Sequence, residues 1–530
     1  MARMAQTEEL SKAPARRRDR SADGSGDPAP HRRLERAPGV VITLVLLVLI
    51  ASATVRLYQL QRPAALVFDE VYYAKDAHTI LHGYLGGNPG YPWEPGNEIS
   101  WPHPEYGKFA IAVGEAGFGN KSFGWRIVPA IFGTLLLTLI YPIGRRLGLS
   151  PVWALLGLVL AASDFLGIVQ SRIATLDIFV AFWSVLCLYL ALRYVQTGHR
   201  LRWLFLCGLA GGLALGTKWS GAFAIAAALA LLVLYRRRPF ARPLARTALQ
   251  ALRDAVLPLV ALVVLPIALY CASYVVYFTK GHHTLSQWWQ LQHEMWWFNE
   301  NLHATHTYAS RAYTWIFDYR PVWYYYEQIH DSVHGIISIG NPLLWWASVP
   351  ALIGLLVLAI VRRDRDLVVL PLLVALLYLP WLRTTRTSFM YYMTPVAPFM
   401  ALAVAMALRE LSRARVPRWQ WAAACYAATT VVVALLWYQI GVGVAWLVWR
   451  DAAGLSVDLA RAVAAVAVAV TALLVVALFL WPRARALWPY LTWVYAGAVT
   501  GVCLAFLPIL IDLSISTSHF YHLMWFRNWI

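Results

Sequence analysis

From Pro38 onward the chain is a series of apolar runs, broken by polar stretches, that read as spanning helices, each needing roughly 20 residues to cross about 30 Å of hydrocarbon. The runs fall near 39–58, 123–142, 151–169, 174–194, 203–217, 220–235, 254–277, 343–361, 367–382, 392–408, 420–440, 460–481 and 488–511. Several are short, so the expectation is an odd number of spans, about 11 to 13, in an all-α polytopic membrane protein. Residues 1–38 have no such pattern. They are rich in Arg, Pro, Ser and Asp and predict a disordered basic cytoplasmic tail. A cleavable signal peptide is not expected, because the first apolar run starts too late and lacks a small-residue cleavage site. The organisation is therefore a tail over 1–38 and one membrane domain over 39–530.

Lys and Arg near helix ends stay on the cytoplasmic side. Threading the runs alternately puts Arg145-Arg146, Arg200 and Arg202, Arg236-Arg237-Arg238, Arg362-Arg363, Arg413 and Arg415, and Arg483 and Arg485 on the tail's side. The same threading places the C-terminus outside, with two long outer segments at about 59–122 and 278–341. Loops of this length usually carry function. Both are crowded with aromatic residues, as in Tyr91-Pro92-Trp93, Trp296-Trp297 and Trp323-Tyr324-Tyr325-Tyr326. An interfacial belt and a stacking surface for sugar or peptide both fit such rings.

Composition agrees with a lipid solvent. Of the 530 residues, 60% are hydrophobic and 14% charged, with a mean hydropathy of +0.55. A soluble multidomain protein, a disordered chain and a small disulfide scaffold are excluded. The net charge of +18 is mainly a topology signal, so no nucleic-acid partner is expected. The five cysteines lie in apolar stretches without CxxC spacing and predict neither disulfides nor a zinc site.

Three groups of residues carry candidate chemistry. Asp69 and Glu70, just outside the first span, are adjacent carboxylates in an apolar-aromatic setting, at what looks like the first turn of a helix. A carboxylate there is placed to act as general base for an incoming hydroxyl. In Trp101-Pro102-His103-Pro104-Glu105-Tyr106-Gly107-Lys108, the prolines fix a turn while His103 and Lys108 offer cationic donors suited to an anion. Single cations follow at membrane depth or its outer edge: Arg126, Arg172, Lys218 and Arg386. Each costs roughly 2.5–3.5 kcal/mol at mid-membrane unless partnered, and a lipid phosphate is a suitable partner. Asp177 competes for Arg172 as a structural ion pair. The histidines of the second outer loop include His303-x-x-His306 but no HExxH arrangement, so no metal is indicated. No P-loop, dinucleotide fingerprint or GxSxG element is present, which argues against nucleotide sugars or ATP as donors.

These residues, in this order, resemble the protein O-mannosyltransferases, lipid-phosphate-sugar-dependent enzymes of the GT-C class. The resemblance rests on Asp69-Glu70, the His-Pro-x-x-Gly-Lys turn, Arg126, Ser171-Arg172 with Leu176-Asp177, and Lys218-Trp219-x-Gly221. Arg386 to Tyr392 with Pro395, and His522 to Trp525, extend it over about 56–530. The second outer loop is too short for the β-trefoil MIR domain of eukaryotic members, so the chain is similar to bacterial, actinobacterial-type members. Glu105-Tyr106 departs from the Pro and Leu more usual inside the turn. The resemblance implies a GT-C fold, polyprenyl-phosphate-mannose as donor, Ser or Thr hydroxyls of exported polypeptides as acceptors, and inversion at the sugar carbon. It implies no cofactor, and recruitment by the Sec translocon is carried by the family alone. By residue, it implies Asp69 as base, Glu70 as a positioning carboxylate, and Arg126, Lys218, Arg386 and Arg172 on the donor phosphate. His103, Lys108 and Asp177 support the site, and Arg56 orients the carboxylates. A GT-C transferase acting on a glycolipid, of the aminoarabinose or arabinose type, shares the carboxylates and remains the alternative. A transporter lacks support because no paired internal repeat is visible.

Overall fold

The computed structural model describes residues 37–85, 102–235, 255–279, 281–413 and 484–530. The tail and the candidate spans 420–440 and 460–481 lie outside them. In chain order, span α1 (Pro38–Leu57) is followed by two shorter helices, α2 (Glu70–Leu85) and α3 (Tyr106–Phe118). Then come α4 (Ser122–Arg146), α5 (Pro151–Ala162), α6 (Phe165–Gln170), α7 (Asp177–Gln196), α8 (Leu201–Leu215) and α9 (Ala222–Leu234). After α10 (Ala255–Ser273) the chain forms α11 (Leu285–Asn301), strands β1 (Val322–Ile329) and β2 (Ser332–Ser338), and the helices α12 (Pro342–Arg362), α13 (Arg365–Tyr378) and α14 (Ala397–Arg413). It closes with α15 (Ala484–Leu510), strand β3 (Ile515–Ser516) and α16 (Thr517–Leu523).

Among the described residues, seven helices are long and apolar enough to cross a membrane, and shorter apolar helices lie between them. Proline opens α1, α5 and α12, where its missing N–H has no partner to lose. The outward faces carry bare apolar side chains, Leu46, Leu47 and Ile50 on α1, Val233 on α9, Ile360 on α12 and Leu504 on α15. Water does not tolerate such a surface and lipid does; the chain is a multi-pass membrane protein. The innermost packing sets α7 against α8, α9 and α4, and α14 against α5 and α12.

The expected span 151–169 divides into α5 and α6 at Ser163-Asp164. Asp164 caps α6 by accepting from Gly167 N–H at 3.1 Å and also takes the indole N–H of Trp345 at 2.8 Å, so the break is held by hydrogen bonds that a continuous helix would forgo.

Among the described residues, the long segments between spans hold regular elements as well as loops. A capping box at Thr284 and Gln287 opens α11. After it, β1, β2 and β3 form an antiparallel sheet in that order, with Tyr325 opposite Ile336 and Val333 opposite Ile515. This sheet is an addition to the all-α expectation. Its first strand is bulged at Tyr324, between the pairs Trp323–Ile337 and Tyr325–Ile336, and Val322, Trp323 and Tyr324 are buried in succession. The bulge removes the two-residue alternation by which a strand is recognised in sequence.

Candidate active site

The two adjacent carboxylates separate because successive residues at a helix start point about 100° apart. Glu70 turns inward and is fully buried. It accepts from Arg126 Nε and Nη2 at 2.7 Å each, from Ala174 N–H at 2.9 Å and from Val67 N–H at 3.0 Å. Asp69 turns toward Lys218 and Tyr391, whose hydroxyl hydrogen-bonds it. Burial pushes the Asp69 carboxyl up to about 7, opposed by the charge of Lys218 and the Tyr391 hydrogen bond and reinforced by Asp177. Such a value lies where a general base is most effective near neutral pH. The residue before it, Phe68, is held at φ 48°, a left-handed conformation unusual for a bulky side chain, and its ring stacks on Tyr324 at 4.5 Å.

Lys218, whose charge acts on this carboxylate, also lines a cavity of about 430 Å³ whose wall includes His103, Trp296, Arg383, Arg386 and Tyr392. Lys218 bonds both oxygens of Asp177, at 3.0 and 3.2 Å, and lies 4.4 Å from the Tyr392 ring centroid. Arg386 donates to Asn299 of α11 and to the carbonyl of Thr387. Burial lowers the His103 imidazole well below its ordinary range, and Lys218, Arg386 and Lys108 push it the same way, so His103 is neutral. The cavity lining thus interleaves the cations Lys218, Arg383 and Arg386 with aromatic rings and one carboxylate, Glu300, a setting for a phosphate joined to an apolar chain.

The glycines of two motifs explain how these elements come so close. A Cβ on Gly107 would sit 2.5 Å from Leu176 Cδ2, and one on Gly221 would sit 2.3 Å from the Ala214 carbonyl carbon. Only hydrogen fits at Gly221, where the Lys218 turn folds back on the α8 backbone, and at Gly107 a larger residue would have to displace the Leu176 side chain, against which α3 packs.

Several residues expected at the phosphate have other partners. Arg126 is fully buried; besides Glu70, its guanidinium donates to the carbonyls of Leu60, Arg62, Pro63 and Ala65. Its fork is committed to fixing the loop that carries Asp69. Arg172 donates to the carbonyls of Val55 and Arg56, closing the end of α1. It does not pair with Asp177, which takes Lys218 instead. Lys108 points away from the cavity wall toward Asp76 at 3.2 Å and Glu105 at 3.4 Å, so the unusual Glu105 of the turn balances the lysine of the same turn. Arg56 donates to the carbonyls of Ser52 and Gly167 within the helix bundle, away from both site carboxylates. Lys218, Arg386 and His103 are the expected residues that the fold brings together around the cavity.

Of the other wall residues, Arg383 and Asn299 were not singled out in the sequence, and Trp296 was named there only as one of the aromatic pairs. Arg383, three residues before Arg386, shares its wall, and Trp296 and Asn299 arrive from α11. The Arg383-x-x-Arg386 spacing was a usable signal; nothing in the sequence of α11 marks which tryptophan faces the cavity. Among the described residues, no group of three or more His, Cys, Asp or Glu is arranged to hold a metal ion. His306 instead packs its ring against Phe389 at 4.9 Å.

Residues 98–282 match the family model described as dolichyl-phosphate-mannose-protein mannosyltransferase, and residues 284–529 match the C-terminal four-helix region of protein O-mannosyltransferase. A polyprenol-phosphate-mannose–protein mannosyltransferase of Corynebacterium glutamicum is 30% identical over 411 residues, 65% of this chain and 77% of that protein. Its counterpart in Mycobacterium tuberculosis is 29% identical over 439 residues, 71% of this chain and 82% of that protein. The fold matches the S. cerevisiae protein O-mannosyltransferase Pmt1–Pmt2 complex bound to the sugar donor, with a TM-score of 0.67, 13% identity and 92% of each chain covered. The carboxylates after the first span, the turn that packs on Leu176 and the cationic cavity therefore sit within a GT-C fold, and the chain belongs to the protein O-mannosyltransferase family.

Proposed function

We propose that the chain transfers mannose from polyprenyl-phosphate-mannose to Ser or Thr hydroxyls of exported polypeptides, with Asp69 as base, at the outer face of the plasma membrane. The observation that carries this reading is the position of Lys218, whose charge acts on Asp69 and which lines a cavity together with Arg383 and Arg386. The acceptor oxygen attacks the sugar carbon opposite the phosphate, the carbon–oxygen bond to phosphate breaks, and the hydroxyl proton passes to Asp69. Polyprenyl phosphate leaves, and the cations stabilise the charge that grows on it. Glu70 and Arg126 do not touch the reactants; they hold the loop in place. Delivery of the acceptor by the translocon and a cytoplasmic N-terminus belong to the same proposal.

The direct test supplies membranes containing the chain with labelled lipid-linked mannose and a Thr-containing peptide. Label in the peptide is expected. Label in a glycolipid alone would favour the aminoarabinose-type reading, and no transfer would overturn both.

Two further outcomes follow from the site. Because the base must be ionised and its carboxyl is pushed up to about 7, kcat/KM should be level above that pH. It should fall about tenfold per pH unit below it, as the ionised fraction falls. A profile flat down to pH 5 would remove Asp69 as base. Arg386→Gln should raise the donor KM about 10-fold or more, the value of a hydrogen bond to a charged group, with a smaller change in peptide KM. An unchanged donor KM would take Arg386 off the phosphate.

A further inference from the structure

We propose that the acceptor polypeptide docks as an added β-strand on the open edge of β1, which leads its Ser or Thr hydroxyl to Asp69. This rests on the function proposed above. Strand β1 lies at the edge of the sheet, paired with β2 on one side only. Among the described residues, its other side makes no backbone hydrogen bond. In an antiparallel ladder, alternate residues turn their N–H and C=O away from the partner strand, so this side offers a row of unused donors and acceptors. From Tyr326 to Ile329 the strand is exposed at every residue, on both faces. The devices that usually guard such an edge are weak here: the sequence VWYYYEQI has one acidic residue and neither Lys nor Pro. The bulge at Tyr324 lies at the other end of the strand.

The edge is continuous with the site. At the bulge, the Tyr324 hydroxyl accepts from Gln170 Nε2 at 2.6 Å, its ring stacks on Phe68 at 4.5 Å and lies 6.0 Å from Tyr391, whose hydroxyl meets Asp69. The five residues Tyr325–Ile329 extend about 17 Å outward from there. An extended chain laid along them arrives at the carboxylate over the Phe68 and Tyr324 rings. Main-chain pairing also suits an enzyme that must accept varied sequences, since every residue but proline presents the same donor and acceptor.

The test uses the full chain in membranes, lipid-linked mannose, and a synthetic peptide with a single Thr whose backbone amides are N-methylated one at a time. Transfer to the parent peptide tests the function. Docking on β1 predicts a period-two pattern confined to one side of the Thr over about five residues. Alternate methylations should raise peptide KM about 3- to 10-fold, the value of one lost hydrogen bond, while kcat at saturating peptide stays near the parent value. A uniform loss, or none, with the parent peptide still glycosylated overturns the docking and leaves the function standing. No transfer to the parent peptide removes both.

Discussion

Asparagine in place of Asp69 is expected to lower mannosyl transfer about 10²- to 10⁴-fold, the contribution of a positioned base, in a protein that inserts and unfolds like the parent. The substitution conserves shape, and the neighbouring ion pair of Lys218 with Asp177 survives it. Asparagine still receives the Tyr391 hydroxyl but has no lone pair basic enough to take the acceptor proton. Because its surroundings push the Asp69 carboxyl up to about 7, they disfavour its charged form, so a neutral amide there should not lower stability along with activity. Rates are measured with saturating donor and peptide, and folding by thermal unfolding in detergent. Wild-type rates in a well-expressed variant would take Asp69 out of the reaction.

The other large effect is on stability and concerns Glu70 and Arg126. Both are fully buried, and each supplies the other's countercharge. Removing one partner strands the other in a low-dielectric interior, so Arg126→Ala and Glu70→Ala should each destabilise the protein by about 3–5 kcal/mol. The double variant Glu70→Gln with Arg126→Met should recover much of that loss, because it buries no net charge. An Arg126 acting on the donor phosphate would behave differently: donor KM would rise while thermal unfolding stayed put. The two outcomes separate a residue that builds the loop from one that holds the substrate.

The helical membrane architecture was legible because it follows from hydrocarbon thickness, which each long apolar run records without reference to any other. Eleven of the expected spans have helical counterparts close to their ranges, from α1 to α15, with 151–169 divided at Asp164. The family was legible too, because Asp69-Glu70, His103 to Lys108 and Lys218-Trp219-x-Gly221 are short local patterns. Their glycines are fixed by close approaches that leave a mark at a single position.

Partner choice among the charged residues was not legible. Arg126, Arg172, Lys218 and Arg386 are all single cations beside apolar runs, and by sequence alone each suits a phosphate equally well. Folding divides them: Arg126 meets Glu70 from 56 positions away, Arg172 caps the end of α1, and Lys218 takes Asp177 while still facing the cavity. Strand β1 was hidden for a related reason, since its bulge erases the alternation that marks a strand and its partners β2 and β3 lie on either side of most of the C-terminal bundle. The sequence by itself determined the solvent, the bundle and the chemical inventory, because those depend on composition and local spacing. Which charge neutralises which, and which carboxylate stays available to a substrate, depended on distances between residues remote in the chain, and only tertiary packing sets those.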